Sequence, residues 1–479
     1  MRRAQGGSTR AWVFVLVGVL AGCGGSVAPE PPLQAREPEQ EEQAHRAGAS
    51  CSPGATQWVR RSTGTESEIA QRVAVSRNGE AIIVGTYQGT ADFGGGPLLS
   101  APPLLDNAFI AKYAPDGTLL WSRGFGSTVT EGGFTRFTAI AVDRRGRISV
   151  AGEVEAGVDL GSGPLPFGAF VAQFSPDGRL RWVRPLLGGQ FNFTPSLATD
   201  RTGNVILVGS IVGPVDFGDG TPRFASDAAF IAKYEADGGF LWARVFDSNS
   251  LFSDVVAGSR DDLYVSGFFE EPGSDFGGGP LGPTDLDAGA PVVASYSAEG
   301  AHRWSRTLEG TAGIFRGIAV HGNRVVVGGG VSGAFRFGGA AQSFSGGILA
   351  AYTRDGEERW LRQVGSVATS VAMDQRDGVA VIGLYRGGTD LGTGPLPGSP
   401  ASLENGFVAR FDRIDGDPLW ARGFPDLGPV NIEFVADVEV TRQGDALMTG
   451  SFAEPIDFGT GTLTPTTFNP DAYLLRLCP

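Results

Sequence analysis

Short apolar segments separated by turn residues recur along most of the chain in a fixed order. In the first full unit, Val-Ala-Val at 73–75 precedes a tight turn, and a second apolar segment ends in glycine at 83–85. A third segment spans 108–113, and a fourth, after an Asp-Gly pair, spans 119–123. Apolar runs bounded by turn residues are typical of strands, and Asp-Gly between two of them is typical of a hairpin because the turn needs a positive φ. Each unit is therefore predicted to be a four-stranded antiparallel meander.

A tryptophan in the fourth segment sets the period of the repeat. Successive tryptophans are 56 to 63 residues apart, and they are Trp58, Trp121, Trp182, Trp242, Trp304, Trp360 and Trp420. A period of this length is typical of a repeat architecture. Seven four-stranded sheets around one axis make a propeller, so the sequence predicts an all-β, seven-bladed β-propeller over residues 51–479.

The repeated part of the chain begins and ends partway through a unit. Residues 57–60 form a fourth segment, and residues 472–477 form a third one. The last blade is therefore expected to take three strands from the C-terminal part and its outer strand from the N-terminal part, a closure that removes exposed sheet edges.

Two cysteines fall at the hairpin that this closure cuts open. Cys51 lies seven residues before Trp58. Ala114, the last residue before a hairpin turn, likewise lies seven residues before Trp121, so the two positions are equivalent. Alignment of Tyr473 with Phe109 places Cys478 at the same position. We predict a Cys51–Cys478 disulfide that rejoins the hairpin, which an oxidising compartment outside the cytoplasm would permit.

The units resemble the bacterial β-propeller repeats known as SBBP. The resemblance is carried by Gly-Asn-Val-Ile-Leu-Val-Gly at 203–209 and Asp-Ala-Ala-Phe-Ile-Ala-Lys at 227–233. It implies the propeller fold and a cell-surface context, and it implies no catalytic residues.

The N-terminal segment is similar to a bacterial lipoprotein signal. Arginines precede a short apolar run at 11–20, too short to span a bilayer, and Leu-Ala-Gly-Cys at 20–23 resembles a lipobox. The resemblance implies a signal peptide over 1–22 and a lipid on Cys23, and Gly24 after it favours the outer membrane. Residues 23–50 are rich in Pro and Glu and are predicted to be a disordered tether. The expected location is the cell envelope.

Charge and composition narrow the function classes. The net charge is −14, which argues against nucleic-acid binding. Three histidines, His45, His302 and His321, form no metal-binding or Ser-His-Asp pattern. We therefore expect a monomeric protein that is not an enzyme and has no cofactor other than a possible Ca²⁺.

An Asp-Phe/Leu-Gly motif follows the second segment of most units. Its aspartates are Asp92, Asp159, Asp216, Asp275, Asp390 and Asp457, with Arg336 at the equivalent position of one unit. The carboxylates could bind Ca²⁺. Alternatively, each could accept hydrogen bonds from the backbone of its own glycine turn.

The variable connections all lie at one end of the predicted propeller, which we take as the binding face. Phe134 and Phe191 are the candidate surface aromatics there. Phenylalanines that precede the first segment in a nearly constant register either pack in the core or line the channel; they are Phe137, Phe193, Phe252, Phe315 and Phe434. The first hypothesis is a lipid-anchored scaffold that binds an envelope protein. The alternative is a propeller that binds or cleaves glycans with acidic and aromatic loop residues.

Overall fold

The computed structural model describes most of the chain from Cys51 onward. The described residues are 51–99, 105–126, 133–155, 157–188, 190–191, 195–246, 249–282, 289–376, 378–398, 404–425 and 433–479. The predicted signal peptide, the tether and Cys23 lie outside them. Every described segment contributes strands, turns or bends, and none contains a helix. Accordingly, these ranges contain no helix that could cross a membrane.

Seven large antiparallel sheets account for most of the described strands, and we number them in chain order. The first three are sheet 1 (Glu68–Val75, Ala81–Tyr87, Asn107–Tyr113, Leu119–Phe125), sheet 2 (Thr135–Val142, Ile148–Val154, Gly168–Phe174, Leu180–Pro185) and sheet 3 (Gln190–Phe191 with Ser196–Thr199, Val205–Val215, Arg223–Tyr234, Phe240–Phe246).

The next three sheets follow the same order of strands. They are sheet 4 (Ser250–Ala257, Leu263–Phe269, Ala290–Tyr296, His302–Thr307), sheet 5 (Thr311–His321, Arg324–Phe337, Ala340–Thr353, Glu358–Gln363) and sheet 6 (Val367–Met373, Gly378–Arg386, Glu404–Asp412, Pro418–Phe424).

The last large sheet combines both ends of the described chain. Sheet 7 takes Glu433–Val440, Ala446–Phe452 and Asp471–Leu477 from the C-terminal part and Thr56–Arg61 as its fourth strand. Two small sheets complete the described strands; they are Thr63–Gly64 with Thr90–Asp92 and Pro97–Leu99, and Ile456–Asp457 with Thr462–Leu463.

The large sheets stand around a common axis. The first strand of each sheet contacts the first strand of the next, and Glu433–Val440 of sheet 7 contacts Glu68–Val75 of sheet 1. Each pair of neighbouring sheets encloses its own cluster of buried apolar side chains. Radially arranged antiparallel sheets with a core between each pair define a β-propeller, which is the fold that the sequence predicts.

A bulge in the first strand explains why the second strand carries a glycine. In sheet 1 the register between the first two strands shifts after Ala70, and Gly85 lies opposite the shift. A Cβ atom at Gly85 would overlap the backbone carbonyl of Ile69. The same overlap would occur in four other sheets, at Gly152, Gly267, Gly329 and Gly383.

A repeated contact joins outer strands to the next sheet, and we call it the hairpin clasp. In sheet 7 the indole N–H of Trp58 donates to the carbonyl of Pro115 (3.0 Å), and Nε of Arg60 donates to the carbonyl of Gly117 (2.8 Å). Gly117 has φ 83° and lies directly against the indole ring, so the site needs a glycine for both conformation and space.

Every outer strand carries Trp-x-Arg, and both hydrogen bonds of the hairpin clasp recur at Trp182, Trp304 and Trp360. Trp182 and Arg184, for example, donate to the carbonyls of Ala236 (3.3 Å) and Gly238 (2.8 Å). The rings that lie against the hairpin glycine of the next sheet are those of Trp58, Trp121, Trp182, Trp242, Trp304, Trp360 and Trp420.

The predicted disulfide is present and rebuilds the cut hairpin. The Cα atoms of Cys51 and Cys478 are 5.9 Å apart. The N–H of Gly54 donates to the carbonyl of Cys478 (3.2 Å), and the N–H of Cys478 donates to the carbonyl of Ala55 (2.9 Å). The ring of Trp420 lies against Gly54, and Nη1 of Arg422 donates to the carbonyl of Gly54 (3.2 Å), while the indole N–H of Trp420 has no hydrogen-bond partner among the described residues.

Candidate binding face

The two ends of the propeller differ in the connections that they carry. Tight turns join the first strand to the second and the third to the fourth at one end, for example at Gly79 and Gly117. The longer connections between second and third strands, and from each sheet to the next, lie at the opposite end. We call this opposite end the loop end, and it holds all the sequence-predicted candidates of the binding face.

The six aspartates of the Asp-Phe/Leu-Gly motif each bind their own loop. Oδ1 of Asp92 accepts hydrogen bonds from the backbone N–H groups of Gly94 (2.7 Å), Gly95 (3.0 Å) and Gly96 (3.0 Å). Oδ1 also accepts from the N–H groups two and four residues later at Asp159, Asp216, Asp275, Asp390 and Asp457. At Asp159, the N–H of Gly161 stabilises the carboxylate and lowers its pKa. This is the local role that the sequence left open.

The motif does not gather its aspartates into one cluster. Each belongs to a different sheet, and across the described ranges no group of three or more His, Cys, Asp or Glu side chains is placed to hold a metal ion. The arrangement therefore supports a turn-stabilising role for these carboxylates.

Arg336 replaces the aspartate in sheet 5, and another residue takes over its role. The N–H of Gly338 donates to Oε2 of Glu358 (2.7 Å), which lies on the outer strand of the same sheet. The guanidinium of Arg336 is exposed, and its Nη1 donates to the carbonyl of Gly339 (3.3 Å).

The two candidate surface aromatics are partly covered. Phe134 is half-buried, with the guanidinium carbon of Arg136 4.8 Å from its ring centroid. Phe191 stacks on Phe230 at 6.1 Å with an interplanar angle of 2°, and it packs against the core between sheets 2 and 3.

The phenylalanines in the constant register are core residues wherever their side chains are described. Phe137, Phe252 and Phe315 are buried. Phe193 and the side chain of Phe434 lie outside the described set.

Several apolar side chains at the loop end are exposed, which the sequence did not predict. Their exposed fractions are high, and they are Leu99 (73%), Phe167 (50%), Leu187 (53%), Val212 (44%) and Phe468 (103%). All five belong to the connections or strand ends of sheets 7, 1, 2 and 3, which are consecutive around the ring. We call these five residues the apolar sector. Large exposed apolar patches mark interaction surfaces on soluble proteins, and these five side chains share one end of four consecutive sheets.

The remaining large apolar side chains that are exposed in the described part of the chain lie elsewhere. Leu120, Leu241 and Leu419 begin outer strands, and Ile414 lies in a tight hairpin. An open hollow of about 300 Å³ also lies at the tight-turn end, between Arg147 and Asn204 of sheets 2 and 3 and the hairpin at Glu235 and Asp237. Exposed apolar side chains thus occur at both ends, on outer strands and a hairpin at the tight-turn end and on longer connections or strand ends at the loop end.

Two aspartates on first strands link neighbouring sheets inside the ring. Asp254 of sheet 4 accepts hydrogen bonds from Ser196 Oγ (2.7 Å) and the N–H of Ile318 (2.9 Å). Asp437 of sheet 7 accepts hydrogen bonds from Ser370 Oγ (2.7 Å) and the N–H of Val73 (3.0 Å). Both carboxylates therefore bridge the sheets on either side of their own.

Burial governs the ionisation of the side chains inside the ring. It raises the pKa of Asp254 to about 6 and also raises that of Asp437. Burial, reinforced by these two aspartates, raises the pKa of Glu439 to about 8. Because each aspartate uses both oxygens in bonds between sheets, their geometry is that of structural links.

A buried carboxyl pair lies where sheet 7 closes onto sheet 1. Glu68 and Asp471 are both fully buried. Ser62 Oγ donates to Oε2 of Glu68 (3.2 Å), while Oε1 has no hydrogen-bond partner among the described residues. Asp471 accepts bonds from Arg61 (3.3 Å) and from the N–H (2.9 Å) and hydroxyl (2.8 Å) of Thr466. Burial, and then the charge of Asp471, raise the pKa of Glu68 to about 8.

Comparison with known proteins gives distant likenesses. No protein-family model matches the chain. An uncharacterized WD repeat-containing protein of Acanthamoeba polyphaga mimivirus is 24% identical over 204 residues, and the match covers 35% of this chain but only 15% of the viral protein.

Several solved structures resemble the chain in fold. The WD40 domain of Neurospora crassa Pan2 has a TM-score of 0.45 at 9% identity, covering 89% of this chain and 98% of that one. BamB from Moraxella catarrhalis has a TM-score of 0.38 at 10% identity, covering 87% and 100%. Virginiamycin B lyase from Staphylococcus aureus has a TM-score of 0.44 at 9% identity, covering 88% and 99%. Our assignment of a β-propeller rests on the sheets themselves.

Proposed function

We propose that the seven large sheets are the blades of one seven-bladed β-propeller, of the type that the SBBP resemblance implies. The closed sequence of contacts between first strands supports this number. So do the seven indole rings, each of which lies against the hairpin glycine of the following sheet.

We further propose that the protein is a non-catalytic scaffold of the cell envelope, held to the outer membrane by a lipid on Cys23. The lipobox-like sequence at 20–23 is the support for the anchor. The motif aspartates bind their own turns, and Asp254 and Asp437 bond neighbouring sheets, which supports a structural rather than a catalytic role for these carboxylates.

The binding function is proposed to reside in the apolar sector. Its five exposed side chains are the observation that carries this proposal, because large apolar groups at the centre of an interface supply most of its binding energy. The net charge of −14 favours a partner with basic residues around an apolar patch.

Cross-linking in intact producing cells tests this function. The test variant replaces Leu99, Phe167 and Phe468 with serine. The matched control replaces Leu120, Leu241 and Leu419 with serine, so that a similar apolar area is removed from the outer strands. A partner that is lost in the test variant and retained in the control supports the proposal, whereas a partner retained in both contradicts it.

The anchor is tested separately with Cys23→Ala. This variant should lose incorporation of a labelled fatty acid and leave the membrane fraction. Membrane retention without the cysteine would refute the lipid anchor and leave the binding function untouched.

A further inference from the structure

The second and third strands of sheet 5 extend beyond their neighbours as a two-stranded ribbon. They pair without interruption from Arg324 opposite Thr353 to Phe337 opposite Ala340. The outer strand, Glu358–Gln363, pairs with the third strand only as far as Ile348. Residues 340–346 therefore form a strand edge at the loop end, and we call residues 334–346 the ribbon.

Three residues of the ribbon direct backbone groups outward from this edge. Gly347 faces outward, since its N–H donates to the carbonyl of Gly365 (3.2 Å) and its carbonyl accepts from the N–H of Val364 (2.8 Å). Backbone groups alternate in direction along a strand, so those of Ala341, Ser343 and Ser345 face the same way. No described residue forms a backbone hydrogen bond with these outward groups.

The equivalent edge is blocked by proline in four other sheets. In sheet 5, Ala341 lies opposite Arg336. In the four other sheets, the residue opposite the motif aspartate is a proline; the prolines are Pro97, Pro164, Pro280 and Pro395. Proline has no N–H to donate, and natural proteins use it to prevent pairing at strand edges. Sheet 5 lacks this protection.

The exposed face of the ribbon carries small side chains beside the strand edge. Its exposed side chains are small and neutral except for one arginine; they are Ala334, Arg336, Ala341, Ser343 and Ser345. The opposite face is fixed by Phe335 and Phe344, whose ring centroids are 5.5 Å apart. The edge is therefore preorganised before any partner arrives.

Arg336 gives the edge a charge preference. Its exposed guanidinium forms no ion pair with any described residue and lies across the ribbon from Ala341, a side chain too small to cover it. An acidic side chain on an added strand would meet this guanidinium.

We propose that the ribbon of sheet 5 binds an extended segment of another protein, which pairs with Ala341, Ser343 and Ser345 as an additional β-strand and places an acidic residue near Arg336. This inference goes beyond the proposed function, because it places a second binding site on sheet 5, which carries no residue of the apolar sector. Strand addition of this kind draws its affinity from main-chain hydrogen bonds.

The test uses the purified full chain and random peptides of about ten residues displayed on phage. Peptides selected on the natural protein are synthesised, and their affinities are measured for Ala341→Pro, which restores the residue of the other sheets and removes one outward N–H. The matched control is Ala341→Thr, because threonine occupies this position in sheet 7, where Thr462 lies opposite Asp457. Circular dichroism and the thermal midpoint verify that both variants are folded.

The proposal predicts that Ala341→Pro weakens peptide binding about tenfold and that Ala341→Thr leaves it within about twofold. Two N-methylated versions of the peptide, one with the odd and one with the even residues methylated, should differ. Only the version that blocks the N–H groups facing the ribbon should lose binding. Arg336→Gln should weaken binding of peptides that carry Asp or Glu.

Equal affinity of the natural protein and the proline variant would overturn the proposal, as would insensitivity to N-methylation. Self-association of the natural protein that the proline variant loses would also overturn it, because a second copy would then be the occupant. If these peptide tests fail while the serine variant of the apolar sector still loses the cellular partner, the ribbon inference is refuted and the proposed function is not.

Discussion

Replacing Glu68 with glutamine should stabilise the protein, and the gain should depend on pH. The carboxyl is fully buried, and only Oε2 receives a hydrogen bond, from Ser62. Glutamine has nearly the same shape, accepts the same bond from Ser62 and carries no charge. The substitution therefore removes the cost of burying an ionised group beside Asp471 while leaving the packing in place.

The size of the effect follows from the change in pKa. Burial raises the pKa of Glu68 from the ordinary 4.5 to about 8. At about 1.4 kcal/mol for each pKa unit, ionised Glu68 lowers the free energy of unfolding by up to about 5 kcal/mol. Because the pKa in the folded state is above that in the unfolded state, this penalty is absent below about pH 4.5. It grows as the pH rises and is complete above about pH 8.

Denaturant unfolding followed by tryptophan fluorescence measures this difference. The free energies of unfolding of Glu68→Gln and the natural protein should nearly coincide at about pH 5 and diverge progressively up to about pH 9. Glu66→Gln is the matched control, since it makes the same chemical change at a half-buried site that accepts a bond from Asn469 (3.1 Å). A stability difference for Glu68→Gln that is constant across this range would refute the reasoning.

Three further predictions concern the closure, the bulge and the motif turns. Cys51→Ser should lower the thermal midpoint, with an upper guide of about 6 kcal/mol from the loop entropy of a 427-residue separation; an unchanged midpoint in calorimetry would contradict it. Gly267→Ala should destabilise by roughly 2–4 kcal/mol because the new Cβ meets the carbonyl of Leu251, whereas Gly239→Ala, which meets only flexible side chains, should change stability little in the same unfolding assay. Asp92→Ala should lower the free energy of unfolding by about 1 kcal/mol, and Ca²⁺ added in place of a chelator should leave the midpoint of the natural protein unchanged; a clear rise with Ca²⁺ would restore the cation interpretation.

The repeat made much of this fold predictable. The spacing of the tryptophans and the Asp-Gly turns indicate the strand order, since both depend on local conformation and on a period written in the sequence. The pairing of Cys51 with Cys478 followed from aligning the chain on itself. The contact of each tryptophan with the hairpin of the next sheet was not predicted. The arginine two residues later, as in Trp58-x-Arg60, repeats in every unit and could have indicated it.

The candidate binding face was less predictable because exposure depends on how neighbouring connections fold over one another. Nothing local distinguishes Leu99 or Phe468, which are exposed, from Phe191, which packs against a core. The departure at Arg336 was visible in the sequence, but its significance depends on Ala341, whose outward N–H is apparent only from the pairing of the strands. The burial of Glu68 likewise results from contacts with residues about four hundred positions away.

The hairpin clasps have a consequence for chain connectivity. The ring of Trp420 packs against Gly54 of the interrupted hairpin just as the ring of Trp121 packs against Gly178 of a continuous one, so this packing does not require an unbroken hairpin. A circularly permuted gene that joins Pro479 to Cys51 and opens the chain beside Gly178 would encode the same set of sheets. The disulfide would then be redundant, and it would be the newly opened hairpin that needed one.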